Sequence, residues 1–279
     1  MKRICAITMA RNDDFFLERW IDYYGLQLGK ENLYILLDGT DQKIPANAGL
    51  AHVEVRERVD GQVAAADKGR IELISNKASE LLKKYDLVIG TDVDEFLMVD
   101  PRCQTTLLEY LSNLKIRTSV SGLGIDVGQK LGEEPNVNPQ LPLLSQRQYA
   151  LVSSRYTKAS VIAAQVEWGS GFHRIRNHNY TIDRNLYLFH FGCVDMEMLE
   201  QKLKDNDKLE TGWERHLKKR TKTIALVTRK TARNADTYLP LARIFQKIFR
   251  PVFAWNKPTM ACWKLVVKIP ERFGNQSLC

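Results

Sequence analysis

At 279 residues, with 44% hydrophobic and 27% charged side chains, the chain has the composition of an ordinary globular protein and the length of one large α/β domain or a domain with an appendage. Its net charge of +8 is unevenly placed: residues from Glu200 onward carry 18 Lys/Arg against 7 Asp/Glu, and the first 199 carry 23 against 26. Five scattered cysteines without a C-x-x-C pair exclude a disulfide framework and a zinc site and point to a reducing, cytosolic setting, and no segment approaches the length of a membrane-spanning helix.

Residues 4–10 are the first expected strand. This apolar run passes directly into Arg11-Asn-Asp-Asp14 without a spacer, which suits a buried strand better than a signal peptide. Asn12 or Asp13 is placed to cap a helix with its side chain. Leu17, Trp20, Ile21, Tyr24 and Leu28 then recur at steps of three and four, making one apolar face, and Gly29 stops the helix. Residues 33–37 read as a second strand ending in Asp38, and 52–56 as a short third. A helix is expected over about 62–84, with Ile71, Ile74, Ala78, Leu81 and Leu82 facing inward. Residues 87–91 are an apolar, β-branched run of the buried parallel kind, leading straight into Asp92, Asp94 and Glu95.

After Pro101 the periodicity weakens. A helix is expected near 104–115 and a strand near 118–125, then a loop across 129–147, where three prolines interrupt the pattern. Residues 158–166 read as a strand or an irregular segment, and Trp168-Gly-Ser-Gly-Phe-His173 as a glycine-flanked aromatic turn. An apolar strand over 186–191 carries His190, and Asp195 is placed to cap the next helix. In the tail, Lys218-Lys-Arg-Thr-Lys222 is a basic run. Further on, Ile244-Phe245, Ile248-Phe249 and Val252-Phe253 alternate with Arg243, Lys247 and Arg250, the pattern of a basic amphipathic helix that lies on anionic membrane.

In an open α/β sheet, ligands bind at the C-terminal ends of the strands. Asp38 ends one such strand and Asp92 and Asp94 end another. Carboxylates two residues apart in an extended turn can share a divalent cation. The set suits a sugar nucleotide, with Asp38 bonding a base or ribose and the Asp-x-Asp pair reaching the diphosphate. Carboxylates alone would repel a diphosphate, so Mg²⁺ or Mn²⁺ is the expected bridge. There is no G-x-G-x-x-G after the first strand and no G-x-x-x-x-G-K-[ST] anywhere, which disfavours dinucleotide and P-loop binding. Trp168, Phe172 and His173 are candidates for the acceptor side, with the aromatic rings stacking on a sugar face. Glu167, with Asp126 second, is the candidate general base. If neither serves, a retaining course remains open.

Taken in order, four stretches resemble the GT-A glycosyltransferases: Ala6-Ile-Thr-Met-Ala-Arg-Asn-Asp-Asp14, Leu17-Glu-Arg-Trp-Ile-Asp-Tyr-Tyr24 with Leu28-Gly29, Tyr34-Ile-Leu-Leu-Asp38, and Thr91-Asp-Val-Asp-Glu-Phe-Leu97. They are most similar to family 2-like bacterial enzymes and relatives with an Asp-x-Asp-Glu-Phe signature, closely over the first hundred residues and in outline beyond. The resemblance implies a Rossmann-like α/β fold, a mostly parallel twisted sheet flanked by helices. It also implies a catalytic domain over 1–199 (a nucleotide-binding half to residue 100 and an acceptor half after it) and a basic helical region over 200–279.

By the same resemblance, Thr8, Ala10, Arg11, Asp13 and Asp38 face the nucleoside, and Asp92, Val93 and Asp94 lie at the metal and diphosphate. Arg70, then Lys68, faces the donor phosphates, and His190 completes the metal shell. Asp13 stands where family 2 commonly has Glu. The expected activity is transfer from a UDP-sugar to a glycan or lipid-linked acceptor in cell-surface polysaccharide synthesis, inverting in preference to retaining. The expected setting is cytoplasmic, peripheral on the inner face of an anionic membrane through residues 243–253. Nucleic acid is not an expected partner, because the crevice is acidic. The alternatives are a haloacid-dehalogenase-type phosphatase using Asp92 and Asp94, and a non-enzymatic basic membrane adaptor.

Overall fold

β1 (Ile4–Ala10) is buried throughout and has parallel neighbours on both sides, β2 (Leu33–Asp38) and β4 (Leu87–Gly90). β3 (His52–Arg56) extends this sheet, parallel to β2. Strands covered on both faces need apolar side chains on both, which is why β1, β2 and β4 do not alternate. α1 (Asp14–Leu28) packs on Ile4, Ala6, Ile35 and Ile89, while α2 (Val63–Leu81) packs on Cys5, Ile7, Leu36 and Val88. The chain thus has the expected α/β class, a parallel sheet flanked by helices. The structure, a computed structural model, describes residues 1–59, 63–203 and 214–274, with backbone alone for 63–66, 203 and 214–220.

Beyond β4 the sheet becomes mixed. β5 (Glu95–Val99) leaves the parallel array and pairs antiparallel with β9 (Ile182–Cys193). β6 (Ser119–Gly128) runs parallel to β9 and antiparallel to β7 (Tyr149–Val152). The two-residue β8 (Val161–Ile162) joins β6 to β4, so the eleven strands among the described residues form one continuous sheet. α3 (Leu107–Asn113) starts at Thr106 with a capping box completed by Glu109. The segment 129–147 is irregular apart from the single turn α4 (Leu143–Gln146).

Asp195 caps α5 (Met196–Leu203) as expected, accepting from the Met198 amide at 3.1 Å. At α1 the cap position belongs to Asp13, but its carboxylate bonds no helix amide and instead accepts from Lys202 Nζ at 2.8 Å.

The C-terminal region departs from a purely helical extension. After α6 (Glu214–Arg229) come β10 (Arg233–Asn234), α7 (Ala235–Ile248) and β11 (Val266–Lys268). β11 pairs antiparallel with β7 and carries β10 on its other side, so this region supplies one edge of the sheet. Within the basic run 218–222, the side chains of 218–220 lie outside the described residues.

α7 ends at Ile248, so Arg250, Val252 and Phe253 follow the helix and do not extend it. Its buried face mixes Arg243 and Gln246 with Ala235, Leu239 and Ala242, whereas Leu241, Ile244 and Ile248 are exposed. Arg250 donates to the carbonyls of Lys247 and Trp255 at 2.9 and 2.8 Å, closing a turn that leaves Phe253 78% and Trp255 60% exposed. Among the described residues, no helix is long and apolar enough to cross a membrane.

Candidate active site

The turn Thr91–Asp94 follows β4, and neighbouring elements hold its buried polar groups. Thr8 Oγ1, on β1, donates to the Thr91 carbonyl at 2.8 Å, and Trp20 Nε1, on α1, donates to Thr91 Oγ1 at 2.9 Å. The Leu97 amide donates to the Tyr24 hydroxyl at 2.9 Å, and the Tyr23 hydroxyl donates to the Leu97 carbonyl at 2.7 Å. Buried backbone groups need such partners. The Trp-Ile-Asp-Tyr-Tyr stretch of α1 therefore fixes both ends of the acidic turn.

Strand register assembles the rest. β5 sets Glu95 opposite His190 of β9, and β6 sets Asp126 opposite the same histidine from the other side. His190 Nδ1 lies 2.6 Å from Asp126 Oδ1, and the second Asp126 oxygen accepts from Thr223 Oγ1 at 2.6 Å. The Tyr156 ring stacks on the imidazole, with centroids 3.7 Å apart. His190 Nε2 then faces Asp94 Oδ2 at 3.3 Å. A carboxylate only accepts, so Asp126 holds the proton on Nδ1 and leaves the Nε2 lone pair towards Asp94. A proton or a shared cation is needed between two such electron-rich atoms. Burial opposes a charged imidazole, but Asp94 and Asp126 outweigh it and raise His190 above its ordinary range.

Gly192 borders this gap. A Cβ there would lie 2.7 Å from His190 Nε2 and 2.8 Å from Asp94 Oδ2, so only glycine leaves the space beside both atoms clear. Oxygen and nitrogen donors at this separation beside a clear space fit a divalent cation such as Mn²⁺ or Mg²⁺. Asp126, His190 and Cys193 also place ligand atoms within 4.8 Å of one another, but there Asp126 and Nδ1 already bond each other.

Lys158 is the residue that sequence reading missed. Its buried ammonium lies 2.7 Å from Asp92 Oδ2 and 2.5 Å from Glu95 Oε1. Burial would lower Lys158, yet the two carboxylates outweigh it and raise it. Burial pushes Glu95 up to about 7, with Lys158 opposing. Carboxylate oxygens of Asp92, Asp94 and Glu95 lie within 4.8 Å of one another, so this one cation offsets only part of the cluster.

The other expected residues divide. Asp38 is buried and accepts from the Val59 amide at 2.8 Å, with Arg70 Nε 3.7 Å away; Arg70 also donates to the Met9 carbonyl. Arg11 bonds the Asp38 carbonyl and Asp41. Thr8, Ala10 and Val93 are buried, and Lys68 is exposed on α2.

Both candidate bases are otherwise engaged. Asp126 is buried with each oxygen bonded, and Glu167 is exposed and paired with Arg176 at 2.7 Å. Trp168 and Phe172 are both buried, packed so closely on Gly90 that a Cβ there would come within 2.8 Å of either ring. His173 is half-buried, with Nδ1 enclosed and lacking a hydrogen-bond partner among the described residues.

No family model matches the chain, and no curated protein matches it. Among solved structures, it is similar to a glycosyltransferase involved in glycosylation of the major capsid of PBCV-1, at 10% identity and TM-score 0.27, covering 47% of this chain and 53% of that one. It is also similar to a galactosyltransferase in complex with donor and acceptor sugar analogues, at 16% identity and TM-score 0.24, covering 46% and 49%. A mannose-1-phosphate geranyltransferase from Thermus thermophilus aligns at 10% identity and TM-score 0.30, covering 98% and 77%. The first two matches span about half the length of those proteins. The likeness is one of outline, and no residue role is carried over from it.

Proposed function

We propose that the chain is a metal-dependent GT-A glycosyltransferase that moves a sugar from a nucleoside-diphosphate sugar, a UDP-sugar first among them, to a glycan or lipid-linked acceptor. The observation that carries this reading is the pair Asp94 Oδ2 and His190 Nε2, 3.3 Å apart beside Gly192, directly after a parallel strand and next to Asp92. A divalent cation held there supplies the positive charge that stabilises a departing nucleoside diphosphate. Asp126 fixes the His190 tautomer, and Lys158 holds Asp92 and Glu95 in place. Asp38 orients Arg70 and the segment at Val59 at the C-terminal ends of β1 and β2, where the nucleoside and donor phosphates would lie.

The test is hydrolysis of a panel of nucleotide sugars, with Mn²⁺ and with EDTA. Release of the nucleoside diphosphate should require the metal and fall about a hundredfold or more in Asp94→Asn and in His190→Gln. Turnover undiminished by EDTA would defeat the metal assignment. Release of inorganic phosphate from phosphomonoesters instead would favour a phosphatase.

The exposed apolar residues of α7 and the turn after it support docking on an anionic membrane. Leu241, Ile244, Ile248, Phe249, Val252, Phe253 and Trp255 are all exposed, a grouping that monomeric proteins seldom leave to water. Residues 237–270 contain six Lys/Arg and no Asp/Glu. A second copy of the chain would set like charges against each other, whereas anionic headgroups complement them.

A further inference from the structure

Beside the acidic turn lies a group of cations that the donor reading does not use. Arg155 immediately precedes Tyr156, whose ring covers His190, and Lys158 follows two residues later. The turn 170–174 reaches the same place, since Lys158 Nζ lies 5.8 Å from the centre of the Phe172 ring. The segment carrying Lys257 is pinned there by Asn256, whose buried amide donates to the Ile175 carbonyl at 2.7 Å. Three separate loops thus place Arg155, Arg174 and Lys257 in one neighbourhood beside His173, near enough for Arg155 and Arg174 to act on the Lys257 charge.

Lys158 is engaged by Asp92 and Glu95, but Arg155, Arg174 and Lys257 have no acidic partner among the described residues. Burial, then the like charges of Arg155, Arg174 and Lys158, lower the Lys257 ammonium. Burial and the charges of Lys158, Lys257 and Arg155 likewise push His173 well below its ordinary range, and its enclosed Nδ1 has no hydrogen-bond partner among the described residues. Cations without acidic partners among the described residues, held together against their own repulsion, suit an anion. The donor diphosphate is a poor candidate, because a divalent cation on Asp94 and His190 would already offset most of its charge.

We propose that Arg155, Arg174 and Lys257 form a subsite for a phosphate group carried by the acceptor. The proposal rests on the donor reading above for the word acceptor, but not for the binding of phosphate. The same segment carries Trp255 and Phe253 into the exposed apolar patch, so the phosphate could belong to a lipid headgroup or to a soluble ester.

The test is a calorimetric titration of the full chain with glycerol 3-phosphate, glycerol being the neutral control, before and after saturation with UDP and Mn²⁺. Saturable binding of the ester but not of glycerol is expected, and it should persist in the UDP-loaded protein. Arg174→Gln, at an exposed position that leaves the core intact, should weaken it roughly fivefold to tenfold, the loss of one charge-assisted contact. Binding that UDP displaces would give these cations to the donor, and no binding at all would leave them without a phosphate role; either result overturns the proposal. Failure of UDP to bind while glycerol 3-phosphate still does would instead overturn the donor reading alone. Dilution of phosphatidic acid into neutral vesicles, set against the soluble ester, separates the two sources.

Discussion

On the proposed reading, Asp126 acts by orienting His190 and not by touching substrate. It is buried between His190 Nδ1 and Thr223 Oγ1, each at 2.6 Å. In Asp126→Asn the amide can turn its NH₂ towards the ring, move the imidazole proton to Nε2 and so point that proton at the cation position. Mn²⁺ affinity should then fall roughly 10- to 100-fold, read by water-proton relaxation, with a smaller loss in Thr223→Val. Equal affinity in wild type and Asp126→Asn would remove it from the site. Lys158 predicts a stability effect. Lys158→Met leaves the buried Glu95 without its cation, and breaking a buried pair costs about 3–5 kcal/mol, measurable by urea denaturation. Adding Glu95→Gln should recover part of that loss; if it recovers none, the cost lies in packing around the methylene stem.

α1 acts as a bracket for the acidic turn. Tyr24→Phe removes the oxygen that accepts from the buried Leu97 amide, and an orphaned amide costs about 1–3 kcal/mol of unfolding free energy. The end of β5 is tied similarly to the C-terminal region, where the Arg272 fork meets both Asp100 oxygens at 2.8 and 2.9 Å. Burial alone would raise Asp100, but Arg272 and the Arg102 amide outweigh it and lower it. A carboxyl lowered on folding stabilises fully above its unfolded value of about 3.9, and that contribution is lost as pH falls through the folded value. Thermal melts should therefore show Asp100→Asn destabilised at pH 7 and converging with wild type as pH falls below 4. The parallel half of the sheet was legible because strands buried on both faces carry unbroken apolar runs and α1 repeats its apolar face. β5 was hidden because Glu95-Phe-Leu-Met-Val reads as the tail of the acidic motif, and β10 and β11 because strands of two and three residues leave no period. Lys158 and Thr223 reach the cluster through tertiary folding, which no local pattern marks. That Asp126 faces an imidazole is likewise set by the pairing of β6 with β9 and leaves no mark in the sequence.

For the whole molecule, the exposed apolar residues of α7 are the feature to test. The protein should co-sediment with anionic vesicles and be released as salt rises, since exposed charges are screened within about 8 Å at physiological ionic strength. Val252→Asp with Phe253→Asp should abolish sedimentation and leave the melting temperature unchanged, because both side chains are exposed. Sedimentation that survives the pair of aspartates would place docking elsewhere. Truncation before α7 is a poorer test, since it would also strip β11 from β7 and Phe273 from the core. That pairing has a kinetic consequence. β11 is hydrogen-bonded to β7, and β7 to β6, the strand that carries Asp126. A bilayer gripping α7 would hold the acidic turn at a set height above the lipid, and encounters with a lipid-borne acceptor would take place in two dimensions. Turnover would then follow the mole fraction of acceptor in the surface, falling as inert lipid is added at constant bulk concentration.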